Sequence, residues 1–176
     1  MKKILFLLLL FPGISNAQIS KQDSVWLPLK FLIGKWTGES EGNPGKGKYE
    51  RSYELVLNKK YIEVKNKSVY PPSTNNPKGE VHEDRGFISY DKSRKTFVLR
   101  QFHIEGFVNQ YKIESISFDG SNLVFVSESI ENIPAGFRAR ETYQIVNENE
   151  FIEIFELAEP GKGFEIYSKA ILRRAK

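Results

Sequence analysis

Thr96-Phe97-Val98-Leu99-Arg100-Gln101-Phe102-His103-Ile104, followed by Phe107-Val108-Asn109-Gln110-Tyr111-Lys112-Ile113-Glu114-Ser115-Ile116, decides the fold. In the first segment Phe97, Leu99, Gln101 and His103 share one face, and Val98, Arg100, Phe102 and Ile104 share the other. In the second, Phe107, Asn109, Tyr111, Ile113 and Ser115 oppose Val108, Gln110, Lys112, Glu114 and Ile116. A period of two sustained this long specifies β-strand. The same reading carried outward gives ten strands, at about 34–41, 47–57, 60–70, 80–90, 95–104, 107–118, 122–131, 137–146, 150–158 and 163–173. Turn chemistry separates them at Leu57-Asn58-Lys59-Lys60, Asp119-Gly120-Ser121-Asn122, Asn147-Glu148-Asn149-Glu150 and Glu159-Pro160-Gly161-Lys162-Gly163. The Pro-rich stretch from Pro71 to Gly79 has no period and reads as a surface loop.

Ten consecutive strands must dispose of their edges, and closing the sheet does so. The expected fold is all-β, a closed antiparallel barrel over 34–174. A barrel of this size is wider than side chains comfortably fill, so a cavity is expected inside. Ahead of it, residues 18–33 hold the one helical candidate. Asp23 or Ser24 would cap it, Pro28 suits its first turn and Gly34 would end it. Trp26, Leu29, Leu32 and Ile33 give it an apolar side with which to plug one barrel end.

The segment before that has another purpose. Lys2 and Lys3 precede a pure apolar run from Ile4 to Phe11, Pro12-Gly13 breaks it, and Ser15-Asn16-Ala17 supplies small residues at a cleavage site. This is the pattern of a secretory signal peptide over 1–17, with Gln18 first in the mature chain and a periplasmic or secreted destination. The run is shorter than the roughly 20 residues that span a bilayer.

Composition removes several function classes. With no Cys, disulfides, thiolate zinc sites, cysteine nucleophiles and a lipid-anchor cysteine are excluded. With two His in the chain, a multi-histidine metal cluster is excluded, and no paired acids stand at metal-ligand spacing, so no metal is expected. The net charge is only +4, and Lys and Arg are interspersed with acids, so no nucleic-acid stripe is apparent. No phosphate-binding glycine loop opens a helix, and no spacing joins Ser, His and acid, so no catalytic residues are assigned.

The candidate ligand-binding residues come from the inward faces. Tyr53, Leu55, Phe97, Leu99, Gln101, His103, Tyr111, Glu141 and Tyr143 are expected inside. Arg100 fixes the face of its strand. An unpartnered guanidinium pointing inward costs several kcal/mol, roughly, whereas Gln101 and a neutral His103 are satisfied by a ligand, Asn109, Tyr111 or water. Glu141, with Phe137, Ala139, Tyr143 and Ile145 on its face, needs an Arg or a hydroxyl as partner. Arg51, on a face with Tyr49, Tyr53 and Leu55, offers a guanidinium for Glu141 or for a ligand carboxylate. Trp36, beside Gly34 and Gly38, reads either as cavity floor or as packing under the N-terminal turn. His82, at a strand start beside the Pro-rich loop, reads as solvated.

Leu27-Pro28-Leu29 with Leu32-Ile33-Gly34-Lys35-Trp36-Thr37-Gly38 resembles the opening of nitrobindin-like proteins, heme-binding members of the calycin barrels alongside lipocalins and fatty-acid-binding proteins. His82-Glu83-Asp84-Arg85-Gly86-Phe87-Ile88, Ser127-Glu128-Ser129-Ile130 and Ile171-Leu172-Arg173-Arg174 are similar to segments of that family, and uncharacterised secreted bacterial barrels share the glycine–tryptophan opening. The resemblance implies a ten-stranded calycin-like barrel. It also implies heme gripped by a His near the C-terminus, where this sequence has none after His103; Tyr167 lies near that position. The resulting expectation is a non-catalytic barrel holding a small apolar or amphipathic ligand in its lumen. The alternatives are a heme protein acting on nitrogen oxides or peroxynitrite, and a filled-core barrel that engages a protein partner.

Overall fold

The computed structural model describes residues 24–175 except Asn75. The expected signal segment 1–17 and the capping candidate Asp23 lie outside the described residues. Ten strands follow one short 3₁₀ helix, Leu27–Leu32. They are β1 (Gly34–Gly42), β2 (Gly47–Val56), β3 (Tyr61–Tyr70), β4 (Glu80–Asp91), β5 (Thr96–His103), β6 (Val108–Ile116), β7 (Asn122–Glu131), β8 (Arg138–Asn147), β9 (Glu150–Ala158) and β10 (Glu165–Arg174). Each pairs antiparallel with its sequence neighbours, and β1 pairs with β10 to close the barrel. The expected all-β closed barrel is the fold.

The alternation works as the sequence implies. Phe97, Leu99 and Gln101 are buried, whereas Phe102 is exposed and Arg100 lies outside, donating from Nε to Gln110 Oε1 at 3.0 Å. Tyr53, Tyr111, Glu141 and Tyr143 are buried and Leu55 and His103 half-buried, so each assigned inward face is inward.

The 3₁₀ helix closes one end. Trp26 occupies its N-cap position without a side-chain cap, so the expected capping by Ser24 is corrected. The Ile33 amide donates to the Lys30 carbonyl at 3.2 Å and ends the helix one residue before the expected Gly34. Gly34 instead makes the bend into β1 at φ +130°, a left-handed conformation that a side chain resists. Gly38 allows close backbone approach, since a Cβ there would lie 2.0 Å from the Ile171 carbonyl oxygen. Trp26, Leu29 and Leu32 pack down onto Trp36, Phe97 and Phe151 in one buried cluster. Trp26 also donates its indole N–H to the Lys59 carbonyl at 2.8 Å, tying the plug to the β2–β3 turn. Leu57, Asn58 and Lys59 in that turn all have positive φ.

Candidate functional site

At the plugged end, inward positions are aromatic or aliphatic. Moving up the barrel, polarity changes at one height on most strands: Tyr53 gives way to Arg51 on β2, Val64 to Asn66 on β3, Ile88 to Asp84 on β4, Leu99 to Gln101 on β5, Tyr111 to Asn109 on β6, Tyr143 to Glu141 on β8 and Phe151 to Glu153 on β9. All of these are buried. The result is a polar belt across the lumen, with a cavity of about 430 Å³ above it.

Inside the belt, Arg51 and Glu153 form a forked ion pair, Nη2 to Oε1 at 2.7 Å and Nε to Oε2 at 3.0 Å. Burial lowers the guanidinium's proton affinity, but the charge and hydrogen bonds of Glu153 outweigh it and leave the pKa raised. Such a fork matches carboxylate geometry closely. Arg51 therefore does not pair with Glu141, contrary to one sequence expectation. Glu141 takes the other alternative, accepting from the Tyr143 hydroxyl at 2.5 Å. Burial and the charge of Glu153 push its carboxyl up to about 7, against the Tyr143 hydrogen bond and Arg51. Asp84 accepts from Asn66 Nδ2 at 2.8 Å, and burial pushes it up to about 7 despite the attraction of Arg51. The belt thus holds one guanidinium and three carboxyls, and only one carboxyl is matched by a cation.

Above the belt the wall is largely apolar, with Phe107, Ile130, Ile133, Phe137, Phe155 and Leu157 lining it. His103 stacks on Phe107 with centroids 4.1 Å apart, and burial with the neighbouring His82 lowers its pKa to about 3, so it is neutral. Tyr167 stands at the rim, edge-on to Phe155 at 5.8 Å.

The candidate residues divide by height. Arg51, Gln101, His103, Glu141 and Tyr167 line the cavity. Tyr53, Tyr111 and Tyr143 point inward but lie among the packed residues at or below the belt and outside the cavity lining. Trp36 is packing under the N-terminal turn: its indole donates to the Leu32 carbonyl at 2.7 Å, its ring meets Phe151 at 4.8 Å, and the Arg174 guanidinium covers it at 4.1 Å. Its assignment to the ligand site is corrected, because it sits at the wrong end of the barrel. His82 is corrected in the other direction. It is half-buried and lines the cavity, because it shares the β4 face of Asp84 and Ile88. Asn66, Asp84 and Glu153 complete the belt and were not read as site residues.

The sequence matches no family model and no curated protein. The fold is similar to the crystal structure of Rv2717c from M. tuberculosis, with a TM-score of 0.65 at 16% identity over 86% of this chain and 98% of that one. It also matches a redesigned β-barrel, b11L5F_LGL, at TM-score 0.43 and 9% identity, covering 84% of this chain and 94% of that one. The barrel EF1p2_mFAP2b bound to DFHBI matches at TM-score 0.44 and 8% identity, covering 84% of this chain and 97% of that one.

Proposed function

We propose that this protein is an exported, calycin-like carrier or sensor that holds one small amphipathic molecule in its mouth cavity. The observation that carries this reading is the cavity of about 430 Å³ between an apolar wall and a charged belt. That volume falls in the range of small-molecule sites, roughly 300–1,000 Å³, and disfavours a filled-core interaction module. The apolar body of the ligand lies against Phe107, Ile130, Phe137, Phe155 and Leu157. Its head, rich in hydrogen-bond donors or positively charged, faces Asp84 and Glu141, the two carboxyls that Arg51 leaves unmatched. The resemblance to nitrobindin-like barrels supports lumenal binding. Export rests on the signal pattern at 1–17, and the purified mature protein should begin at Gln18.

The reading is of binding without turnover. In support, the side-chain hydrogen-bond partners of the two histidines are Glu105, Asn109 and each other, which is not the arrangement of a histidine that activates a hydroxyl nucleophile. Two features of the surroundings weigh against heme held by Tyr167. Burial and the nearby Glu80 raise the pKa of that phenol, which opposes the tyrosinate that would ligate iron. The acidic belt below would also repel carboxylate side groups.

Native mass spectrometry of protein purified from its source organism weighs a retained ligand directly. The expected result is one organic adduct per chain that Ala139→Phe, which fills the cavity, removes while the barrel stays folded. An adduct that survives Ala139→Phe, or a panel of cationic amphiphiles binding no better than matched anionic ones, would overturn the reading.

A further inference from the structure

His82 and Asp84 stand two residues apart on β4 and so share a face. Asp84 is paired in register with His103 on β5. The three side chains therefore meet on one patch of the inner wall, and one donor atom from each lies within 4.8 Å of the others. His82 Nε2 is 3.4 Å from His103 Nδ1 and 3.8 Å from Asp84 Oδ2. In a tetrahedral zinc shell with bonds of about 2.0–2.2 Å, neighbouring donor atoms are about 3.3–3.5 Å apart. Both distances from His82 Nε2 are at or close to that spacing, and the third, between His103 and Asp84, is no more than 4.8 Å.

The groups around it have the form of an outer shell. Glu105 Oε1 lies 2.7 Å from His82 Nδ1, which fixes a proton there and leaves the Nε2 lone pair facing the cluster. Asn66 occupies Asp84 Oδ1 at 2.8 Å and leaves Oδ2 toward His82. Asn109 Nδ2 lies 3.2 Å from His103 Nε2 and 2.8 Å from the Tyr111 hydroxyl. In that orientation Asn109 Oδ1 is buried without a partner. Turning the amide over lets this oxygen accept from both His103 Nε2–H and the Tyr111 hydroxyl. The turned amide sets the His103 tautomer whose Nδ1 lone pair faces His82. Carboxylate or amide partners on the far nitrogen of each ligating imidazole are the usual support of a metal site.

We propose that His82 Nε2, His103 Nδ1 and Asp84 Oδ2 bind a divalent transition cation of the zinc class, with its remaining coordination positions open to the cavity. Two imidazoles and one carboxylate with open positions suit zinc or ferrous iron better than calcium or magnesium, which take oxygen shells. This goes beyond the organic-ligand reading and shares Asp84 with it, so a bound cation would leave Glu141 as the carboxyl that faces an organic head; the test below reads the cation alone.

The test uses untagged, chelator-treated protein titrated with Zn²⁺ by calorimetry, followed by long-range ¹H–¹⁵N spectra of the imidazoles. His82 and His103 are the only two histidines, so the spectrum is simple. The expected result is one cation per chain, with His82 metallated at Nε2 and His103 at Nδ1. His103→Gln and Asp84→Asn should each weaken binding by more than the roughly 10–100-fold that an outer-shell loss costs, and Glu105→Gln by about that smaller factor. No binding at about 100 μM Zn²⁺ would overturn the proposal. So would a spectrum in which only His82 responds, which would place the ion on the exposed group formed with Glu80 and Glu105. The spectra of the unsubstituted protein decide the matter even where a variant fails to fold.

Discussion

The two ends of the barrel are made from the same strands and the same alternation, yet they do opposite things. At the plugged end, Trp36, Leu29, Leu32, Leu123, Phe151 and Leu172 are fully buried in one cluster. Toward the mouth, the inward positions of β2, β4, β5, β6, β8 and β9 present Arg51, Asp84, Gln101, Asn109, Glu141 and Glu153 to a space they do not fill. Dry packing gains free energy from every apolar group it hides. A buried polar belt gains little and is costly when any member loses its partner. Stability is therefore concentrated at one end and recognition at the other, and substitutions that probe the two ends should behave differently.

The sharpest way to break this contrast is at the plug. Trp36→Ala removes the edge contact with Phe151, the hydrogen bond to Leu32 and the platform under Arg174, and should lower stability by about 3–5 kcal/mol. Urea unfolding measures it, and a loss under about 1 kcal/mol would mean that the plug does not anchor the barrel. In the belt, Arg51→Met leaves Glu153 unpaired and should cost about as much, roughly 3–5 kcal/mol, whereas the double change Arg51→Met with Glu153→Leu should recover most of it. A double variant as unstable as the single one would show that the pair contributes more than mutual neutralisation.

The smallest effect is set by pH. The Glu141 carboxyl is raised from 4.5 to about 7 in the folded state by burial and by Glu153. Between those values the folded protein binds the extra proton, so stability falls as pH rises through that window and levels off above it. Glu141→Gln should leave the melting temperature nearly unchanged near pH 4 and stabilise by about 2–3 kcal/mol near pH 8. Equal shifts at both pH values would remove ionisation as the cause.

The strands and their inward faces were legible because alternation is a local signal. Arg100 opposite Gln101 was enough to orient β5. Height along the barrel was not legible, because a single strand does not tell which of its inward residues stands at the mouth. Hence Trp36, Tyr53, Tyr111 and Tyr143, expected in the ligand site, point inward but lie outside the cavity lining, and His82, expected to be solvated, lines it. Glu153 escaped for a second reason. Phe151-Ile152-Glu153-Ile154-Phe155 is apolar on both faces, so alternation assigns it no side. Only the register against β10 and β8 settles its direction. Asp84 lies in His82-Glu83-Asp84-Arg85, where charge on both faces hides the inward one. The partner of Arg51 and the carboxylate beside the two histidines were invisible for that reason.

The seam between β1 and β10 has a consequence for how the chain folds. Every other strand pair joins sequence neighbours, and so forms from short loops. At the seam Arg174 reaches back 141 positions to donate to the Ile33 carbonyl at 2.8 Å, and donates to the Phe31 carbonyl at 2.9 Å. Loop closure over such a distance is slow compared with hairpin formation. During synthesis, β1 and β9 therefore present open edges until β10 arrives, and an unpaired edge is a template for intermolecular pairing. The interval before the last strand docks is when the sheet's edges are most exposed to aggregation.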